Sequence, residues 1–192
     1  EYDTSIDEGS DIESNHYLDN SGSSLHDLNS QAMAQTIDAI VLYTPEARDG
    51  AGGTQAIKAT AQAAIDGMNE SLSNSSTNVQ VNLIYSGLLN HDFNDDSEAS
   101  LSWFRTNDTA KNLRDTHGAD MASLITEGGG CGQGYVMRTP GPGFAAWAFQ
   151  KTGRSCAVGN LTMAHEFGHV MGLEHNPENA STGPDDASYP WS

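Results

Sequence analysis

Apolar positions along the chain recur with two different periods. Ile37 to Tyr43 is apolar apart from Asp38 and stops at Thr44-Pro45, which predicts a buried strand inside a sheet, ended where proline removes a ladder donor. Past the Gly50-Ala-Gly-Gly53 turn, Ile57, Ala61, Ala64, Ile65, Met68 and Leu72 repeat at helical spacing, predicting an amphipathic helix from about Thr54 to Leu72. After a polar turn at 74–78, Val79, Val81, Leu83 and Tyr85 alternate with Gln80 and Asn82, the mark of a strand with one wet face. Two strands bracketing a helix form a crossover unit, right-handed by default.

The second half is less regular. Trp103, Phe104, Ala110 and Leu113 predict helix within Leu101 to His117, with Gly118 as its stop. Met121 to Thr126 reads as a strand. Gly128-Gly-Gly130 leads into the Cys131–Met137 segment, Arg138 to Gly143 is a loop by composition, and Phe144 to Phe149 returns as apolar chain toward Cys156. Asn160 or Thr162 is expected to cap a last helix. Beyond His175 only polar, turn-rich loop is legible.

Residues 1–35 form a separate stretch. They carry Asp3, Asp7, Glu8, Asp11, Glu13, Asp19 and Asp27, and no Lys or Arg precedes Arg48. Little apolar surface could be buried there, so an acidic flexible arm or pro-region remnant is expected, with residues 36–192 as one catalytic-size domain. Asp19 or His16 from this arm would be the groups to cap a metal in a latent zymogen, although no switch cysteine supports that role.

Charge narrows the function classes. Eight Lys+Arg against 26 Asp+Glu leave a net charge of −18, which argues against nucleic acid or an anionic membrane as partner. No apolar run approaches the roughly 18 residues needed to cross a bilayer. The chain starts at Glu1 rather than Met, consistent with processed, secreted, extracellular material, and a monomer is expected. Cys131 and Cys156 are too few for a structural zinc site and lack CxxC spacing. A disulfide closing a loop of about 25 residues, worth roughly 3–4 kcal/mol in the chain-entropy model, is the simpler reading; two buried thiols are the other. The oxygens of His91-Asp-Phe-Asn-Asp-Asp96 could hold Ca²⁺, but their spacing and the absent glycine do not fit an EF-hand, and a solvated loop is favoured.

The chemistry concentrates in His165-Glu-Phe-Gly-His169-Val-Met-Gly172-Leu-Glu-His175. On a helix, positions four apart lie about 40° round the axis and about 6 Å along it, so His165 and His169 face one metal. Glu166 projects beside them, where a general base belongs. Gly172 permits a left-handed turn that carries His175 back as third ligand. Three neutral imidazoles on Zn²⁺ leave a fourth position for water, the arrangement of a catalytic site. The ion would lower the pKa of that water to about 7 while Glu166 takes its proton and returns it to the leaving amine.

This eleven-residue pattern resembles the metzincin signature, and the chain from about Thr36 is similar to the bacterial peptidyl-Asp metalloendopeptidases, a reprolysin-like family. The likeness also rests on Asp38-Ala-Ile-Val-Leu-Tyr-Thr-Pro45 with Gly52-Gly-Thr54, on Leu113-Arg-Asp115 with Gly118-Ala-Asp120, on Cys131-Gly-Gln-Gly-Tyr-Val-Met137, and on Ala164-His-Glu-Phe-Gly-His169. The resemblance implies an α+β, zincin-like fold with a mixed twisted sheet and an active-site helix. It implies a secreted zinc endopeptidase, with His165, His169 and His175 on the ion and Glu166 as base. Cys131 to Met137 would be the sheet edge beside the cleft, holding a polypeptide substrate as an added strand. The family's methionine turn after the third histidine has no counterpart, since the last methionine is Met171. A truncated or self-cleaved C-terminal subdomain is therefore expected, and a zinc-binding but inactive or latent fragment is the rival to an active protease. Arg138, Lys151 and Arg154 are candidates for reading an acidic substrate side chain, against plain surface roles. A gluzincin with a downstream glutamate ligand fits the spacing of Gly172 and His175 less well.

Overall fold

The computed structural model describes residues 35–93 and 97–176. The acidic arm, part of the calcium-candidate loop and the stretch after Asn176 lie outside the described residues. In chain order the elements are β1 (Gln35–Tyr43), α1 (Pro45–Ala51), α2 (Thr54–Asn74), β2 (Val79–Leu88), α3 (Ser97–Thr106), α4 (Asp108–His117), β3 (Met121–Thr126), β4 (Gly132–Gly134), a 3₁₀ turn (Pro142–Trp147), β5 (Phe149–Gly153) and α5 (Thr162–Val170).

The five strands form one mixed sheet in the order β2-β1-β3-β5-β4. All neighbours are parallel except β4, which runs antiparallel to β5 and forms one edge. Helices cover both faces, as parallel strands require. On one face Ala39, Val41, Val81 and Ile125 pack with Ile57, Ile65 and Met68 of α2 and with Met163, Phe167 and Val170 of α5. On the other, Ile40, Leu42, Leu124 and Phe149 pack with Leu101 and Phe104 of α3 and Ala110 of α4. The period-2 alternation of β1 thus feeds two cores, which is why Ala39 to Tyr43 are all apolar.

Several local expectations are corrected. The helix expected within Leu101 to His117 is present and stops at Gly118, but in two pieces, because Asn107 leaves helical geometry (φ −68°, ψ 124°) and its side chain accepts the Ala110 N–H, capping α4. Pro45 does more than stop β1: it begins α1, with Thr44 as the cap accepting from Ala47 N–H. Neither Asn160 nor Thr162 caps α5; the position before the helix is Leu161, in the left-handed region at φ 52°, with no side-chain capping bond. The edge strand is three residues, not Cys131 to Met137, because beyond Gly134 the chain turns away and Met137 N–H donates to His169 O at 3.0 Å.

β5 was not legible as a strand. Its central Gln150, Lys151 and Thr152 are polar, yet all are fully buried. Their polar ends are satisfied inside: Gln150 Nε2 donates to Ser123 Oγ at 2.6 Å, Thr152 Oγ1 donates to Gln150 Oε1 at 2.8 Å, and Lys151 Nζ donates to Gly129 O. Cys131 and Cys156 are joined in a disulfide with Cα atoms 5.4 Å apart. The bond ties the residue that opens β4 to the turn that leads into α5.

Candidate metal centre

α5 buries Met163, Phe167 and Val170 against the sheet, so its opposite side is turned to the cleft. His165 and His169 stand there with ring centroids 4.6 Å apart. After Val170 the helix ends on Gly172 at φ 100°. Gly172 N–H donates to His169 O and Leu173 N–H to Gly168 O, both at 2.9 Å, the pairing that closes a helix through a left-handed residue. That turn returns His175 over the helix, where its ring stacks on His165 at 5.1 Å and 16°.

The three imidazoles converge through one kind of atom. His175 Nε2 lies 3.1 Å from His165 Nε2 and 3.1 Å from His169 Nε2, and the ligand atoms of the group all lie within 4.8 Å of one another. Nitrogens held about 2.0–2.1 Å from a tetrahedral zinc would stand about 3.3–3.4 Å apart, close to the two distances from His175, so the three rings converge as ligands around one cation would. His169 Nδ1 lies 2.8 Å from Leu173 O. A carbonyl can only accept, so Nδ1 holds the proton and Nε2 keeps its lone pair for a metal. Partial desolvation, followed by the neighbouring His169 and His175 rings, lowers the pKa of His165. Its neutral, ligating form is thereby favoured.

Glu166 is buried beneath the edge strand. Burial pushes its carboxyl from 4.5 up to about 7, opposed in part by the charge of Lys151. Space for it exists because two residues of β4 lack side chains: a Cβ on Gly132 would collide with Glu166 Oε1 and Thr162, and one on Gly134 would stand 2.8 Å from Glu166 O and 3.2 Å from its Oε2. Sequence reasoning missed both glycines, although Gly-x-Gly within a strand is a signal for close approach of another backbone. Beside them a cavity of about 720 Å³ is lined by Gly134, Tyr135, Arg138, Phe144 and Trp147, among others.

The three cations expected near the cleft are all engaged. Lys151 is wholly buried and spends its ammonium on Gly129 O, so it does not present itself to a substrate side chain. Arg154 forms a two-pronged pair with Glu127 at 2.6 and 2.7 Å. Arg138 lies 3.4 Å from Glu174 and keeps partial exposure. In the calcium-candidate loop, Asp92 Oδ1 accepts the Glu46 N–H, and Asn94 to Asp96 lie outside the described residues.

A mixed sheet, a helix ending at a left-handed glycine and three converging imidazoles give the domain a zincin-like architecture. The chain belongs to metallo-peptidase family M12, whose reprolysin model matches residues 33–190. A relative from Pseudomonas aeruginosa, named peptidyl-Asp metalloendopeptidase, is 32% identical over 164 residues, 77% of this chain. The chain spans only 26% of the length of that relative. Among solved structures, a chain in a chaperone-substrate complex superposes with a TM-score of 0.65 at 22% identity, over 75% of this chain and 27% of that one. That match speaks for the fold alone. Metalloproteinase-II from Bacteroides fragilis superposes at 0.45 and 18% identity, over 82% and 47% of the two chains, too loosely to carry an argument.

Proposed function

We propose that this domain is a zinc endopeptidase, with His165, His169 and His175 holding the ion and Glu166 acting as general base and acid. The reading is carried by one observation: Nε2 of His175, on the turn after α5, lies 3.1 Å from Nε2 of both His165 and His169, on the helix that also bears the buried Glu166. When bound, zinc lowers the pKa of a water to about 7 and polarises the scissile carbonyl. Glu166 takes a proton from the attacking water and delivers it to the leaving nitrogen. β4, at the end of the sheet order, offers an edge on which an extended polypeptide can lie as an added strand. Its glycines bring that strand against Glu166. Secretion is the matching location, supported by the disulfide and the acidic composition.

Peptides containing aspartate are the first substrates to assay, given the name of the relative. Arg138 is the remaining candidate for reading an acidic side chain at the cleft. The rival reading is a domain that binds zinc but is inactive or latent. Peptide hydrolysis by the zinc-loaded chain, compared with Glu166→Gln, separates the two. Chelator-sensitive cleavage by the parent and loss of at least about 100-fold in the variant are expected; no cleavage by a zinc-loaded parent leaves the rival reading standing.

A further inference from the structure

The residue before the third histidine carries a carboxylate that the proposed reaction does not use. The side chain of Glu174 is only 2% exposed, an uncommon setting for a glutamate unless it is paired. Its Oε1 accepts the His175 N–H at 2.9 Å and lies 3.8 Å from His175 Nδ1. Its Oε2 lies 3.4 Å from Nη2 of Arg138. Arg138 directly follows Met137, whose N–H donates to His169 O at 3.0 Å. The stretch leaving β4 is thus tied to the second histidine through backbone and to Glu174, the residue before the third, through an ion pair.

His169 has its own orienting partner in Leu173 O. The side chain of His175 is 41% exposed and arrives on a turn rather than on the helix, so its ring depends more on what surrounds it. Glu174 Oε1 holds His175 by its backbone N–H and stands 3.8 Å from Nδ1, fixing where the residue sits and placing a carboxylate beside the ring, and carboxylates around a ligating imidazole orient it and raise its basicity. We propose that Glu174, held by Arg138, is a positioning residue for His175, so that the chain leaving the peptide-binding edge sets the geometry of the third ligand. The proposal rests on the ligand assignment above.

Zinc dissociation constants, measured by competition with a chromophoric chelator, and the absorption spectrum of the cobalt(II)-loaded protein test it. Glu174→Gln should raise the zinc dissociation constant 10- to 100-fold and shift the cobalt bands. Arg138→Ala should weaken binding less, Arg138→Lys should restore part of the loss, and the Arg138→Ala/Glu174→Gln double variant should bind no worse than Glu174→Gln alone. Lys111→Ala, at the exposed pair with Asp108, should bind zinc as the parent does. A parent that holds zinc while both Glu174→Gln and Arg138→Ala stay within threefold of it, with unchanged cobalt spectra, overturns this proposal alone. A parent that holds no zinc overturns the ligand assignment and this proposal with it.

Discussion

Adding one methyl group to Gly134 should damage the site more than it damages the fold. The new Cβ would stand 2.8 Å from the carbonyl oxygen of Glu166 and 3.2 Å from its Oε2. Tight real contacts begin near 3.4 Å, so about 0.6 Å must be found. The carbonyl belongs to α5, which is locked by Phe167 and Met163 in the core. β4 is three residues long and pairs on one side only, so it yields. Overpacking of this kind costs about 1–3 kcal/mol, a fall in Tm of roughly 3–10 °C for a domain of this size. A displaced edge also misplaces a peptide bound along it, and an error near 1 Å costs on the order of 100-fold in rate. Gly134→Ala should therefore lose about 100-fold in kcat/KM while melting only a few degrees lower. Gly159→Ala is the control, since nothing lies within 4 Å of its added Cβ. Calorimetry and a fluorogenic peptide assay on the two zinc-loaded variants decide the matter. A Gly134→Ala protein with the Tm and kcat/KM of the parent refutes the claim that this glycine lets the edge approach Glu166.

Other outcomes follow from the same structure. In metal-free protein the Glu166 carboxyl is raised from 4.5 to about 7, so its folded form ionises later than its unfolded form, and stability falls as pH climbs through that window. The penalty is on the order of 3 kcal/mol. His165 is shifted downward and contributes the opposite slope below 6.5, so the Glu166 share is read as the difference between parent and Glu166→Gln in pH-dependent melts under chelator; identical slopes would contradict it. Replacing Cys131 and Cys156 by serine should cost about 3–4 kcal/mol for a 25-residue separation, seen as an earlier denaturant midpoint. Asn107→Ala removes the cap that separates α3 from α4 and should cost about 1 kcal/mol; an unchanged midpoint would mean that packing alone divides these helices.

What the sequence reveals divides along physical lines. The spacing of His165, Glu166 and His169 is local, since one turn of helix fixes it, and the turn at Gly172 is demanded by a backbone that other residues resist. β1 was legible as an unbroken apolar run buried on both faces, and α2 and β2 as apolar repeats of helical and strand period. β5 was hidden because its centre is polar: Gln150 and Lys151 are satisfied by Ser123 and Gly129, groups more than twenty residues away, and Thr152 by Gln150. The same distance concealed the purpose of Gly132 and Gly134, whose neighbour Glu166 is brought to them by the sheet and not by the chain between. Lys151 read as a surface cation or one for substrate; only the packed structure shows it inside.

The central claim is that three imidazoles hold one zinc ion. Net charge of −18 could hold loose zinc on the surface, so content alone is not decisive. Zinc-edge X-ray absorption on protein loaded with one equivalent gives the direct answer. Three imidazole nitrogens at about 2.0–2.1 Å, falling to two with His175→Ala, is the predicted result. A shell of carboxylate oxygens, or an unchanged imidazole count in that variant, would contradict the account.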